Sequence, residues 1–211
     1  MAKILIGVPC MDNIPARFAH SLVLLQKVGE CAVMFEIGSL IYTSRNNIAK
    51  RALELEADYV FWLDSDMVFE PDVLVRLYQT MQENEDIDMI SGLYFRRVPP
   101  FTPVLFDRLD MDEQQRCYWS EFKKIPDKPF RVGGVGFGCV LMKTDMFFDI
   151  QARYNTMFAP IGNTGEDLAF CWRARECGYN IWCDPSVKLG HVGHTIITAE
   201  FYDNYQLQKS I

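Results

Sequence analysis

The chain has 211 residues, of which 49% are hydrophobic and 23% are charged, and its 21 basic and 28 acidic residues give a formal net charge of −7. This composition is typical of a globular protein and argues against an intrinsically disordered chain. An acidic balance without a run of lysines or arginines also argues against a general nucleic-acid-binding protein.

The sequence predicts neither a signal peptide nor a membrane span. The apolar run within residues 1–9 is far too short for either, and no other stretch approaches the roughly 20 apolar residues of a transmembrane helix. The seven cysteines are scattered without a CxxC pair, which indicates reduced, mostly buried thiols and a cytoplasmic location. A zinc site is the alternative, although the ligand spacing differs from that of structural zinc fingers. Its candidate ligands are Cys171, Cys177, Cys183, His191 and His194.

The first ninety residues alternate between strand and helix patterns. Short apolar, β-branched runs predict strands over residues 3–8, 31–37, 59–63 and 88–93. Helical spacing of apolar residues predicts helices over residues 15–28, 45–57 and 71–82, the second capped by Thr43 or Ser44. Such alternation predicts an α/β protein with a largely parallel sheet.

The second half of the chain is less regular. Residues 94–130 are polar and proline-rich and predict no clear element, whereas residues 132–142 form a glycine-rich approach to a strand. A short helix over 144–150, a longer one over 165–177 and strands over 181–184 and 187–191 follow. No linker separates independent domains, so residues 1–211 are expected to form a single domain.

Asp64 and Asp66 directly follow the apolar run 59–63, at the carboxyl end of a predicted central strand. In open α/β sheets that edge is where ligands bind. Side chains at i and i+2 of a continuing strand point the same way, so both carboxylates can address one site. Their repulsion calls for a cation, and a hard divalent ion that carries a diphosphate suits them. The alternative is a simple turn or helix cap.

Five segments resemble, in order, the motifs of GT-A glycosyltransferases, especially family 2-like ones. They are residues 39–47 (SLIYTSRNN), 57–67 (ADYVFWLDSDM), 133–142 (GGVGFGCVLM), 165–167 (GED) and 189–193 (LGHVG). The resemblance implies a GT-A fold, which is a Rossmann-like nucleotide-diphospho-sugar transferase fold with a mixed, mainly parallel sheet flanked by helices. It also implies a nucleotide-sugar-binding half at 1–93 and an acceptor and catalytic half at 94–211.

The same resemblance implies a metal-dependent enzyme that moves a sugar from a UDP- or GDP-sugar to a hydroxyl of a glycan or other acceptor. Asp167, beside Glu166, would be the general base of an inverting displacement. Because a helix N-terminus lowers the pKa of a carboxylate, Asp167 would need burial or a carboxylate neighbour to act as a base. The implied Mn²⁺ or Mg²⁺ ligands are Asp64, Asp66 and His191. The implied nucleotide-sugar contacts are Pro9, Arg45, Asn46, Asp64, Ser65, Asp66 and Gly134.

Three other functions compete with this interpretation. A sugar nucleotidyltransferase would carry a basic, glycine-rich loop after the first strand, but no lysine or arginine occurs there before Arg17. A sugar-nucleotide- or glycan-binding module without catalysis would differ by failing to hydrolyse a donor. A metal-free structural protein would show no effect of metal on melting. The tail, residues 198–211, predicts a short helix that covers the active site or makes a contact in a homo-oligomer.

Overall fold

The computed structural model describes residues 1–38, 40–193 and 196–209. Ser39, which opens the first matched segment, and His194, from the alternative zinc set, lie outside the described residues. The described helices are α1 (Ala16–Leu24), α2 (Ile41–Glu54), α3 (Val73–Glu83), α4 (Met146–Tyr154), α5 (Glu166–Glu176) and α6 (Ala199–Lys209). The described strands are β1 (Lys3–Cys10), β2 (Glu30–Ile37), β3 (Tyr59–Leu63), β4 (Met67–Val68), β5 (Met89–Leu93), β6 (Leu105–Phe106), β7 (Arg108–Met111), β8 (Cys117–Ser120), β9 (Phe130–Arg131), β10 (Gly134–Val135), β11 (Cys139–Lys143), β12 (Ile181–Lys188), β13 (Gly190–Val192) and β14 (Ile196–Ile197).

A seven-stranded mixed sheet in the order β2-β1-β3-β11-β5-β12-β9 lies at the centre of the protein. β1 pairs in parallel with β2 and β3, and β5 pairs in parallel with β12. β11 runs antiparallel between β3 and β5, and β9 runs antiparallel to β12. Five strands of this sheet therefore share one direction, which confirms the predicted mixed, mainly parallel sheet flanked by helices.

The central strand β3 separates two apolar layers. Its residues 60–63 are fully buried, as expected for a strand covered on both faces. Val60 and Trp62 belong to a cluster with Ile48 of α2, whereas Phe61 and Leu63 belong to a second cluster. Because successive side chains of a strand alternate between faces, this one apolar run supplies the core on both sides of the sheet.

Several helix boundaries differ from those predicted, among them the end of the first helix and the start of the second. The first helix ends at Leu24 and not at residue 28, because the chain turns away there and the Gln26 N–H donates to the carbonyl of Pro71 at 2.8 Å. The second begins at Ile41, four residues before Arg45, and Leu40 precedes it without a side-chain cap. Arg45 consequently lies in the second turn of α2, and its side chain, not the helix terminus, faces the site described below.

The irregular stretch 94–130 also contains structure that its sequence did not indicate. β7 and β8 form an antiparallel pair, and β6 pairs with β10 of the glycine-rich run. Near the C-terminal end of the chain, β12 is one irregular strand where two short strands were predicted. Among the described helices, none is long and apolar enough to cross a membrane.

Candidate active site

A cavity of about 670 Å³ opens at the carboxyl ends of β1, β3 and β5, the edge at which open α/β sheets bind ligands. Most of the predicted site residues line it. These are Pro9, Arg45, Asp64, Ser65, Asp66, Glu166, Asp167 and His191. Segments separated by more than one hundred residues therefore meet at one place, as the ordered set of motifs suggested.

Asn46 and Gly134 are not brought to this cavity. The Asn46 amide donates to the carbonyl of Tyr42 at 2.8 Å and accepts from the N–H of Phe158 at 3.3 Å, so it fastens α2 to the segment before α5. Gly134 is buried in β10, where an added Cβ would lie 3.0 Å from Leu109. Both residues therefore lie outside the cavity lining, next to neighbouring parts of the fold.

Arg45 is a buried bridge between two acids from distant segments. Its Nη2 donates to Oδ1 of Asp64 at 2.9 Å and its Nε to Oε1 of Glu166 at 3.1 Å, while its own side chain is only 2% exposed. The guanidinium also lies over the rings of Trp62 and Phe137, at 5.5 and 5.0 Å from their centroids. Burial opposes its charge, but these two acids and the nearby Asp167 together outweigh burial and raise the pKa of Arg45. Arg45 is therefore a permanent cation within the cavity wall.

Asp66 faces a different set of partners. The turn that holds it joins β3 to β4, and β4 pairs with β13 so that His191 lies opposite Met67. In consequence Nε2 of His191 lies 3.3 Å from Oδ2 of Asp66, and Nη1 of Arg97 lies 2.6 Å from the same oxygen. Burial would raise the pKa of Asp66, but His191 and Arg97 together lower it.

The two carboxylates thus line one cavity, although not in the way predicted. β3 ends at Leu63, and the Met67 N–H donates to the Asp64 carbonyl at 3.1 Å to close a turn. The side chains of this turn address opposite partners, Arg45 for Asp64 and the His191–Arg97 pair for Asp66. The turn alternative was correct for the backbone, while the carboxylates make the site contacts.

Asp167 lies in the first turn of α5, and the ion pairs found among the described residues do not include it. Burial, and then the neighbouring charge of Glu166, raise its pKa to about 6, against the effect of the Leu168 N–H bond and of Arg45. The expected need for burial and a carboxylate neighbour is met. Asp167 is a carboxylate that ionises just below neutral pH and can accept a proton from a ligand.

Tyr94 and Arg97 line the cavity but were missed by the motif comparison. Both follow β5, as Asp64 and Asp66 follow β3, so their position at the sheet edge was the available signal. The hydroxyl of Tyr94 accepts the Gly138 N–H at 3.0 Å, and its ring lies edge-on to His191 with centroids 5.8 Å apart. An alanine Cβ at Gly138 would lie 2.8 Å from the Tyr94 ring. The glycine-rich run therefore makes room for Tyr94.

The predicted three-ligand metal set is only partly assembled. Across residues 1–38, 40–193 and 196–209, no group of three or more His, Cys, Asp or Glu side chains is arranged to hold an ion. Asp64 already has a counter-ion, because it forms an ion pair with buried Arg45. The cysteines of the alternative zinc set are free and likewise do not gather around His191.

Asp66 and His191 nevertheless suit a divalent ion. Nδ1 of His191 lies 2.9 Å from the Phe95 carbonyl, and since a carbonyl only accepts, this nitrogen must donate. With Nδ1 bound to the Phe95 carbonyl, the other nitrogen Nε2 faces Asp66, and although burial opposes it, this contact raises the pKa of His191. Protonated His191 donates to Asp66; when that proton is lost, the Nε2 lone pair and the Asp66 carboxylate are both available to a cation. A histidine fixed by a second hydrogen bond of this kind is the usual form of a metal ligand.

Comparison with solved structures supports the fold. The chain is similar to A197 from STIV, with 17% sequence identity, a TM-score of 0.64, and coverage of 92% of this chain and 86% of that one. It is also similar to GalNAc-T7, solved with UDP, GalNAc and Mn²⁺, with 12% identity, a TM-score of 0.62 and coverage of 91% of this chain. It spans 44% of the GalNAc-T7 chain. No family model and no curated protein matches the sequence. These likenesses show the fold, which is the GT-A fold that GalNAc-T7 also has.

Proposed function

We propose that the chain is a metal-dependent glycosyltransferase that moves a sugar from a UDP- or GDP-sugar to a hydroxyl acceptor. The observation that carries the proposal is the facing of Asp66 and His191, 3.3 Å apart, inside the cavity at the ligand-binding edge of a GT-A sheet. A carboxylate oxygen suits either Mn²⁺ or Mg²⁺, whereas an imidazole nitrogen beside it is compatible with Mn²⁺ rather than with Mg²⁺. The UDP and Mn²⁺ of the GalNAc-T7 structure make these the first ligands to test.

In this proposal Asp66 and His191 hold the ion, and Asp64, fixed by Arg45, contacts the ribose or an ion-bound water. When bound, the ion would neutralise charge that develops on the leaving diphosphate. Residues 1–93 supply most of the donor contacts, and residues 94–211 supply the acceptor contacts and the base. A homo-oligomer and a cytoplasmic location remain part of the proposal.

An unsatisfied donor in the cavity wall supports a ligand rich in oxygen atoms. Nη1 of Arg45 is buried and has no hydrogen-bond partner among the described residues, although Arg45 lines the cavity. A buried charged donor without a partner costs about 1–3 kcal/mol or more. A ribose hydroxyl or phosphate oxygen of a nucleotide sugar would remove that cost.

Asp167 is the proposed base. The acceptor hydroxyl would give its proton to the Asp167 carboxylate while its oxygen forms a bond to the anomeric carbon of the sugar. The bond from that carbon to the diphosphate breaks in the same step, and its electron pair leaves with the diphosphate. Attack from the face opposite the leaving group inverts the anomeric configuration. The raised pKa of Asp167, about 6, suits a proton acceptor near neutral pH.

A binding module without catalysis is the second candidate. One observation favours it, namely that Arg97 already compensates the charge of Asp66. Such a module would bind a nucleotide sugar without needing an ion and would leave the donor intact. Hydrolysis of the donor in the absence of an acceptor distinguishes the two candidates.

The test is thermal melting with a panel of nucleoside diphosphates, with and without Mn²⁺. We expect one diphosphate to raise the melting temperature of the wild type only with Mn²⁺, because ligand that binds the folded state alone stabilises it. Asp66→Ala should lose this shift, whereas Asp127→Ala, at an exposed residue outside the cavity, should keep it. The proposal is wrong if Asp66→Ala responds like the wild type. A shift that needs no metal and comes without donor hydrolysis would favour the binding module.

A further inference from the structure

Arg97 holds the oxygen that an ion at Asp66 would need. Its Nη1 lies 2.6 Å from Oδ2 of Asp66, and the same oxygen faces Nε2 of His191. The Arg97 side chain is 54% exposed, against 2% for Arg45. The contact is therefore a half-solvated ion pair, which is weak enough to exchange.

The backbone that carries Arg97 is fastened on both sides. Before it, Phe95 forms a bridge with Pro103 and stacks on Tyr202 of α6 at 4.6 Å between centroids. After it, Phe101 meets the rings of Phe201 and Tyr205, at 5.2 and 4.9 Å. The tip between these anchors is exposed, since Val98 is 59% exposed. The contacts of Phe95 and Phe101 hold the backbone on both sides of Arg97 in place beside the cavity. The Arg97 side chain itself is half-exposed and can rotate.

An ion bound to Asp66 and the guanidinium of Arg97 would repel each other at such short range. Arg97 must therefore leave Asp66 when the ion binds. A nucleoside diphosphate that arrives with the ion offers a new partner, because a guanidinium pairs with phosphate oxygens through two parallel hydrogen bonds. Arg97 lines the same cavity and needs only a side-chain rotation to turn toward it.

We infer that Arg97 changes its binding partner when donor arrives. It pairs with Asp66 in the absence of donor and with the diphosphate of the donor once donor and ion are bound. Without donor it compensates Asp66 and competes with the ion. With donor it clamps the phosphate and thereby couples binding of the ion to binding of the nucleotide. The inference rests on the proposed function, in which a nucleotide sugar and an ion occupy this cavity.

The test separates the two halves of this exchange. Binding of Mn²⁺ alone is measured by electron paramagnetic resonance, and binding of the diphosphate identified by melting is measured by calorimetry at saturating Mn²⁺. For Arg97→Ala we expect Mn²⁺ alone to bind about threefold to tenfold more tightly, because a competing cation is gone. We expect the diphosphate to bind about tenfold more weakly, because a charge-assisted contact is lost.

Two further variants control the measurement. Arg97→Lys keeps the charge but not the paired hydrogen bonds, so Mn²⁺ should bind as in the wild type and the diphosphate with intermediate affinity. Arg108→Ala removes an exposed arginine of β7 outside the cavity and should change neither affinity.

Opposite signs for the two affinities are the decisive outcome. If Arg97→Ala weakens both Mn²⁺ and the diphosphate, or changes neither, while the wild type binds both, the inference is overturned and the proposed function stands. If the wild type binds no diphosphate with Mn²⁺, the proposed function fails and the inference fails with it.

Discussion

The cavity has two walls that carry the same types of charged group, but the arginine is buried in one wall and exposed in the other. We call Arg45, Asp64 and Glu166 the buried wall, and Asp66, Arg97 and His191 the open wall. Each contains an arginine paired with one aspartate of the same turn. The arginine of the buried wall is 2% exposed and that of the open wall 54%. The two aspartates are similarly exposed, at 33% for Asp64 and 25% for Asp66. Burial of the arginine therefore distinguishes the two pairs, because a buried guanidinium is fixed in place while a solvated one is free to change partners.

The largest expected effect is on catalysis. Asp167 adjoins the buried wall, where Glu166 raises its pKa. Asp167→Asn should lower the turnover number about 10²- to 10⁴-fold, because it removes the proton acceptor. The measurement is sugar transfer at saturating donor, and the melting shift with nucleotide and Mn²⁺ should stay as in the wild type. Asp110→Asn, at an exposed residue of β7, is the matched control, and equal turnover in the two variants would remove Asp167 from catalysis.

The next effect is on stability and compares the walls directly. Arg45→Ala should lower the free energy of unfolding by about 3 kcal/mol, since it leaves two carboxylates facing each other without their buried counter-ion. Arg97→Ala should cost less than about 1 kcal/mol, as expected for an exposed pair. Denaturant titration measures both. If Arg45→Ala and Arg97→Ala lower the free energy of unfolding equally, the distinction between the buried wall and the open wall is wrong.

A third prediction tests Tyr94, which lies between the walls. Gly138→Ala should destabilise the protein by about 1–3 kcal/mol, because its Cβ would lie 2.8 Å from the buried Tyr94 ring and overpacking strains the core. In a Tyr94→Leu background the same change should cost clearly less. Denaturant titration measures the loss of stability caused by Gly138→Ala in both backgrounds. Equal losses would mean that the Tyr94 ring is not the reason why residue 138 must be glycine.

The smallest effect concerns pH. Burial and Glu166 raise the pKa of Asp167 from 3.8 to about 6, so the folded protein binds this proton more tightly than the unfolded chain. Ionised Asp167 therefore destabilises the fold above about pH 6, and this cost disappears as the pH falls to about 4. Each pKa unit corresponds to about 1.4 kcal/mol, which partial exposure reduces, so we expect Asp167→Asn to stabilise the protein by about 1–2 kcal/mol at pH 8.

The comparison of wild type and Asp167→Asn by denaturant titration at pH 8 and pH 4 checks the sign. The gain should be present at pH 8 and absent at pH 4. A variant that is less stable than the wild type at pH 8 would indicate that ionised Asp167 is stabilised by the fold, contrary to the shift described.

Features that depend on neighbouring residues were predictable from the sequence, whereas features that depend on contacts between distant segments were not. The α/β class and the sheet edge at Asp64 follow from local sequence patterns, namely the helical spacing of apolar residues and continuous apolar runs such as the five residues of β3. The pairing of β4 with β13 lies beyond local periodicity, and only the order of the motifs suggested that His191 would meet Asp66. Helix starts were the weaker prediction, since buried contacts of α2 outweighed the capping preference of Thr43 and Ser44.

The charge partners were the least predictable part. That Arg45 binds Asp64 and Glu166 depends on burial of its side chain, which no single stretch of sequence reveals. The same holds for Arg97, which lies in the stretch with no predicted element and meets Asp66 only through the fold. Sequence therefore indicated the motif residues that converge on the cavity but not Tyr94 or Arg97, and the structure was needed to say which ionisable groups are paired with each other.

The position of β11 has a consequence for synthesis of the chain. This strand lies between β3 and β5, so a nascent chain that has emerged only through residue 93 cannot pair those two strands across the gap that residues 139–143 will fill. The open wall is completed later still, when β13 reaches β4. A ribosome-bound fragment that lacks residues 190–192 would therefore have the turn with Asp64 and Asp66 but not its histidine partner. Any ligand affinity that depends on His191 should consequently arise only after residues 190–192 have been translated.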